Sequence, residues 1–261
     1  MIKRDCMQYI EFNSHEQQDE FIFNLFAGKR TGTFLDISCS HPRIGSNTFT
    51  LEKYQEWSGY CFDVADVEAI HNWSKVRSTP FVMVDATSIE LTNFLKENIT
   101  DVVDYISLDV DFSNVNLAFA TLSRVIDAGV RFKAMTFEHE HYIHGDAIRT
   151  PSRQLLEKHG YVRLFEDVKP WFTGYNDNYA FEDWWIDPQY FSEEILAAKG
   201  SGLFYFECVD RLRKVTKVPY RAQHNCSSAW ADQYCLFWTD QEKAAFTDRF
   251  RRYPGQTTVS N

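Results

Sequence analysis

Carboxylates recur along this chain in places that packing alone does not call for. Asp36, Asp63, Asp85, Asp109 with Asp111, and the run Glu138-His139-Glu140-His141 each close a short apolar stretch. A carboxylate taken out of water needs a partner. A series of them at the ends of apolar runs therefore points to a ligand rich in hydroxyls, amines and amide groups. Asp63 is placed to accept two hydrogen bonds from a ribose diol, as an acid does at the corresponding point of dinucleotide-binding folds. Asp85 is placed to accept from an exocyclic adenine amine. Each lone Asp has a competing use as the N-cap of the helix that follows. Three in phase with the fold form a more specific pattern than any one. The turn Asp36-Ile37-Ser38-Cys39-Ser40-His41-Pro42 would bring backbone close to the same ligand.

The elements that must carry these residues follow from the hydrophobic pattern. TGTFLDIS, GYCFDV, PFVMVDA, VVDYISLDVD, RFKAMTFEHEHY, YVRLFEDV and YAFEDWWIDP read as seven short strands. Between them, residues 14–28, 47–57, 67–76, 89–98, 117–128 and 152–159 show helical spacing. Strands alternating with helices predict a mostly parallel sheet covered on both faces. Ligands of such sheets bind outside the carboxyl ends of the strands, where the acids lie. After Pro188 the rhythm is lost. There, residues 191–199 suggest a helix and LFYFECV a strand. The expected organisation is a ligand-binding domain over residues 1–190 and a C-terminal extension over 191–261. That extension would serve as a lid, a substrate-binding element or a contact between copies of the chain.

No GxGxxG and no GxxxxGK[ST] occurs, so neither phosphate-binding loop is present. An adenosine-containing ligand without a pyrophosphate fits better, and S-adenosyl-L-methionine is the commonest of these.

The blocks GTFLDISCSHPRIGSNTFTLEK, WSGYCFDV, RSTPFVMVDATSI, VDYISLDVD, TFEHEHY and FEDWWIDP resemble the FkbM-like S-adenosylmethionine-dependent methyltransferases. The similarity runs from about Gln17 to Pro188. It implies a Rossmann-like, seven-stranded methyltransferase fold with the cofactor over the first three strands. By that resemblance Asp36 and the turn Ser38 to Ser40 line the methionine part, supported by Ser46, Asn47 and Glu52. Asp63 matches the ribose-binding acid and Asp85 the adenine-side acid, with Asp109 at the methyl-bearing end. The departure is Ser38, which stands where the family's first motif carries glycine. Glycine allows positive φ and close backbone approach at little cost, and serine does not.

The fourth and fifth strand ends would then face the methyl acceptor, with Asp109, Asp111, Glu138, His139 and His141 as candidates. A hydroxyl attacks the sulfonium methyl more readily when a base takes its proton or a divalent cation lowers its pKa. His139 or His141 would supply the base. Asp109, Glu138 and His139 would alternatively hold Mg²⁺ or Mn²⁺, and some related sugar O-methyltransferases lend that reading support. The competing use of these groups is an internal network of ion pairs and hydrogen bonds. Glu182, Asp183, Trp184 and Trp185 form either a wall of the acceptor site or an ordinary packed strand. Arg149 and Arg153 read as surface cations or as contacts to an anionic acceptor. His224, Cys226 and Cys235 lack zinc-ligand spacing and read as structural.

Composition bounds the partners. The 261 residues carry 27 basic and 37 acidic side chains, a formal charge of −10, which opposes general affinity for nucleic-acid backbone. Aromatic residues make up 16%, which suits a large core or a pocket for a sugar or base. The six cysteines are scattered, no apolar run approaches the roughly 20 residues of a membrane span, and the first residues lack the apolar run of a secretory signal. A soluble, cytoplasmic enzyme acting on a small molecule or glycan is the expectation, with homo-oligomer formation open. Two rivals remain. A glycosyltransferase would use Asp109-Val110-Asp111 as its metal-binding acids, and a non-catalytic relative would bind the cofactor without turnover.

Overall fold

The computed structural model describes residues 8–110, 116–170 and 179–224. In chain order the first half comprises β1 (Gln8–Phe12), α1 (Gln18–Leu25), β2 (Thr33–Ile37), α2 (Phe49–Gln55), β3 (Ser58–Asp63), α3 (Val67–His71), α4 (Trp73–Val76), β4 (Phe81–Met83), α5 (Ile89–Asn98) and β5 (Val103–Leu108). The second comprises α6 (Leu117–Asp127), β6 (Phe132–Glu138), α7 (His141–His144), α8 (Asp146–Lys158), β7 (Val162–Val168), β8 (Glu182–Ile186), α9 (Glu193–Ala197), β9 (Gly200–Ser201), α10 (Tyr205–Thr216) and β10 (Tyr220–His224).

Eight strands make one sheet in the order β4-β3-β2-β5-β6-β8-β7-β9. From β4 to β6 neighbouring strands are parallel, and β8 runs antiparallel to both β6 and β7. The chain starts the sheet at β2, builds outward through β3 and β4, then crosses to the other side of β2 for β5 and β6. The order therefore reverses between β2 and β5, and the carboxyl ends of these two strands flank the crevice in which ligands of open α/β sheets bind. This is a mostly parallel, Rossmann-like α/β fold, in which the seven strands read before Pro188 are all present and the two-residue β9 is added at one edge.

Both faces of the sheet are covered because successive strand residues point to opposite sides. Phe34 packs with Phe21 and Ile22 of α1, Leu51 of α2, and Cys208, Val209 and Leu212 of α10. Its neighbour Leu35 packs with Leu91 and Leu95 of α5, Leu122 of α6, and Ile148 and Leu156 of α8. Trp184 and Trp185 divide in the same way, each with 0% exposure. They belong to the core and form no wall of an acceptor site.

Three elements differ from the sequence pattern. The helix expected over 67–76 breaks at Asn72, whose φ of 51° is left-handed, a conformation Asn tolerates better than most residues. LFYFECV, expected as a strand, instead leads into α10. Tyr205, Cys208, Val209 and Leu212 are buried there at helical spacing, and the run is apolar because it packs against α1 and β7. The third is a second, two-stranded sheet in which β1 pairs in parallel with β10. Helix α1 lies between the two sheets. Phe23 joins Ile10, Phe12 and Tyr220 on one side, Phe21, Ile22 and Leu25 join the main core on the other, and all eight residues of α1 are buried. Among the described residues no helix is long and apolar enough to cross a membrane.

Candidate functional site

The crevice between β2 and β5 begins at Asp36, 3% exposed and one residue from the end of β2. Its Oδ2 accepts a hydrogen bond from Thr48 Oγ1 at 2.5 Å, and Arg77 Nη1 lies 3.9 Å away. Burial pushes the Asp36 carboxyl up to about 6, against the pull of the Arg77 charge. Beyond it the backbone turns sharply. Ser38 has φ 70° and Ser40 φ 51°, both left-handed. Ser38 N and Cys39 N donate to Phe62 O at 2.8 and 3.0 Å, which clips the turn to β3.

Asp63 ends β3 and closes the same turn. Its Oδ2 accepts from Ser40 N and its Oδ1 from Ala65 N, each at 2.9 Å. A carboxylate has about four acceptor positions, so two bonds hold Asp63 in place and still leave it able to accept from a ligand diol. Asp85 lies two residues past β4 and is exposed. Its Oδ1 accepts from Thr87 Oγ1 and Thr87 N at 2.7 and 2.8 Å, bonds that hold its carboxyl below the usual range.

The segment 46–52 forms the wall behind the turn. Ser46 Oγ accepts from Thr48 N and Phe49 N and starts α2. Asn47 Nδ2 donates to Ser107 Oγ at 2.9 Å and ties the segment to β5. Glu52 accepts from Arg77 Nε, from the backbone and hydroxyl of Ser78, and from the backbone and hydroxyl of Thr79. Burial alone would raise its carboxyl, but the Arg77 charge and these bonds hold it low. Glu52 is thus engaged in holding the strand that leads into β4.

Asp109 follows β5, with its N–H donating to Ile37 O at 3.3 Å. The structure brings it near Glu138 at the end of β6, close enough for its charge to bear on that carboxyl. Burial, and then the Asp109 charge, push the Glu138 carboxyl well above the ordinary range. Glu182, the cross-strand partner of Glu138, is 3% exposed and accepts from Trp184 Nε1 at 2.5 Å. Burial raises Glu182 as well. Glu16, from the loop before α1, completes the group, pushed up to about 8 by burial and by Asp109. Nothing in SHEQQ distinguishes Glu16 from an ordinary acid at a helix start, and only the topology places it here. Asp111 lies outside the described residues.

His139 is turned elsewhere. It has 0% exposure; its Nδ1 accepts from His141 N at 3.3 Å and its Nε2 faces Asp183 Oδ1 at 3.5 Å and Asp167 Oδ1 at 3.9 Å. Both ring nitrogens are therefore directed at partners other than Asp109 and Glu138. The three residues expected to hold Mg²⁺ or Mn²⁺ do not converge as a ligand set. One donor of each of His139, Asp167 and Asp183 does fall within 4.8 Å of the others. Arg149 and Arg153 already occupy those carboxylates, however, at 2.7 Å from Asp167 and 2.8 Å from Asp183. A divalent ion there would meet two guanidinium charges, so neither set fits a metal. Glu140 instead pairs with His144 at 3.6 Å.

No family model matches the chain, and no curated protein matches it. Solved structures do align with it. Human methyltransferase-like protein 13 in complex with S-adenosylhomocysteine is 11% identical, with a TM-score of 0.46, over 78% of this chain and 93% of that one. The human methyltransferase 10 domain containing protein is 12% identical, with a TM-score of 0.38, over 71% and 83%. The METTL16 methyltransferase domain is 13% identical, with a TM-score of 0.38, over 64% of each chain. At such values the fold of this chain rests on its own strand order.

Proposed function

We propose that the chain is an S-adenosylmethionine-dependent methyltransferase that methylates a hydroxyl of a small molecule, sugar or glycan. The observation that carries this reading is the reversal of strand order between β2 and β5, with the buried Asp36 and the anchored Asp63 at the strand ends beside it, in a sequence with no phosphate-binding loop. In this reading Asp63 accepts from the ribose diol, Asp85 from the adenine amine, and Asp36 with the turn Ser38 to Ser40 receives the methionine end. The wall built by Asn47 and Glu52 holds that turn in place.

When bound, the cofactor supplies an electrophilic methyl on a sulfonium sulfur. An acceptor hydroxyl taking that methyl would have to give up its proton. The Asp109–Glu138 pair, two carboxyls at the carboxyl ends of β5 and β6, is placed to take that proton. The general-base role expected of His139 passes to this pair, because both His139 nitrogens face other partners. His139 instead steadies the exit of β6 against Asp183. No step is drawn through a metal.

Calorimetry with S-adenosylhomocysteine tests the reading and should show saturable binding. Asp63→Ala, which removes two hydrogen bonds to a charged group, should weaken it by about 10- to 100-fold or more. Glu138→Gln should keep that affinity while losing about 10²- to 10⁴-fold in methyl transfer. The competing glycosyltransferase reading, with Asp109 as a metal-binding acid, would prevail if a nucleotide sugar with Mn²⁺ raised the melting temperature and S-adenosylhomocysteine did not.

A further inference from the structure

Arg77 sits behind the pocket wall with 0% side-chain exposure, its guanidinium over the rings of Trp73 at 5.0 Å and Phe34 at 5.5 Å. Its Nε donates to Glu52 Oε2 at 2.7 Å, its Nη1 to Ser46 Oγ at 3.2 Å and its Nη2 to Thr48 Oγ1 at 3.0 Å. Thr48 Oγ1 in turn donates to Asp36 Oδ2 at 2.5 Å. Arg77 therefore reaches Asp36 by two routes, by its charge at 3.9 Å and through the Thr48 hydroxyl.

The charges in this pocket wall do not balance. Glu52, with its five hydrogen bonds, neutralises Arg77, which leaves Asp36 buried with one surplus negative charge. The other groups that bear on Asp36 are Asp63, Asp109, the Cys39 thiol and the Tyr105 hydroxyl, and none of them is a cation. Among the described residues its Oδ1 takes no hydrogen bond. A buried carboxylate so placed is stabilised by a cation arriving from the crevice.

We propose that Arg77 is a positioning residue for the cofactor: it keeps Asp36 ionised, so that Asp36 can pair with the ammonium group of an amino-acid-bearing ligand. This rests on the S-adenosylmethionine reading, since the methionine end of that cofactor carries such an ammonium. Binding is then linked to protons with a defined sign. With Asp36 at about 6, the ligand meets a carboxylate at pH 7.5. Below pH 6 it must expel a proton, and affinity falls about tenfold per pH unit. Removing the Arg77 charge shifts that midpoint upward by about one to three pH units, the usual effect of a close opposite charge.

The experiment follows S-adenosylhomocysteine affinity from pH 5 to 8.5 for the wild type, Arg77→Met, Arg77→Lys and Thr48→Val. In parallel, carboxyl carbon NMR of the ligand-free proteins reports the Asp36 titration directly. Arg77→Met should bind weakly at pH 7 and regain most of its affinity by pH 8.5, and Arg77→Lys should follow the wild-type profile. Thr48→Val, which deletes one small buried group, should shift the midpoint in the same direction by less. It carries the test if Arg77→Met fails to fold. A uniform loss of affinity at every pH, with an unmoved Asp36 midpoint, would mean that Arg77 only packs the wall and would overturn the proposal. If the Asp36 midpoint moves as expected but the wild type binds no S-adenosylhomocysteine at any pH, the cofactor reading falls and the assignment of Arg77 to Asp36 stands.

Discussion

Ser38 carries a backbone conformation that its side chain makes expensive. At φ 70° a residue with a Cβ costs about 1–2 kcal/mol, while glycine there gives back part of the gain in unfolded-chain entropy. Ser38→Gly should therefore raise stability by about 0.5–1 kcal/mol, read from the urea midpoint at unchanged slope. No change, or a loss, would mean that the Ser38 hydroxyl contributes to the turn. The turn thus keeps the shape that glycine would give it, and the departure at Ser38 alters its cost and not its course. Asp36, Asp63 and Asp109 were legible in the sequence because each ends an apolar run of fixed phase. Arg77 and Thr48 were not, although both stand inside the quoted blocks, because burial of a charge is decided by what packs over it. His139 shows the opposite limit. Its place at the strand end is readable, but which way its ring turns depends on Asp183 and Asp167, which arrive from strands much later in the chain.

At the scale of elements, the exit of β6 is fixed by a network that spans α8, β7 and β8. Arg153 holds Asp183 through two bonds at 2.8 Å and Asp167 through one at 2.7 Å, while Arg149 adds a second bond to Asp167. Burial would raise Asp183, but the nearby His139 ring and the bonds from Arg153 outweigh it and hold the carboxyl low. The network's contribution is therefore present above the ordinary carboxylate range and is lost as pH falls below it. Asp183→Ala takes two of its three carboxylate bonds from a partly buried guanidinium, which keeps only Asp167, and should cost about 1.5–3 kcal/mol in denaturant unfolding. A cost below about 1 kcal/mol would show the pairs to behave as surface ones. Sequence spacing found β6, β7, β8 and most helices because their apolar periods are regular. It misread LFYFECV because a run apolar on nearly every residue fits a strand and a buried helix equally well.

At the scale of the whole molecule, the last described strand is locked to the first helix. Glu20 Oε1 accepts from Tyr220 Oη at 2.7 Å, and Glu20 Oε2 pairs with His224 Nε2 at 2.5 Å, with Arg213 at 4.0 Å. Burial would lower His224, but the Glu20 charge raises it above 6.5. For Glu20 itself, burial is outweighed by His224 and its bonds, which bring it below 4.5. The His224 contribution is full below pH 6.5 and fades as pH rises through its raised value. The Glu20 contribution is present above pH 4.5 and fades as pH falls through its lowered value. Glu20→Gln should thus lower the melting temperature most near pH 5–6 and progressively less in alkaline buffer. A gap that stays constant with pH would assign the loss to Tyr220 and packing instead. None of this closure was legible, since Glu20 and His224 sit 204 positions apart with no local pattern to link them.

The parallel pairing of β1 with β10 also sets a timetable. Strand β1 leaves a ribosome well before its partner, whose register with it runs from Tyr220 to His224. Until those residues emerge, α1 has only one of its two faces covered, and Ile10, Phe12 and Phe23 stay exposed. Nascent chains stalled before residue 220 should therefore bind chaperones that recognise apolar segments, and those carried past residue 224 should release them.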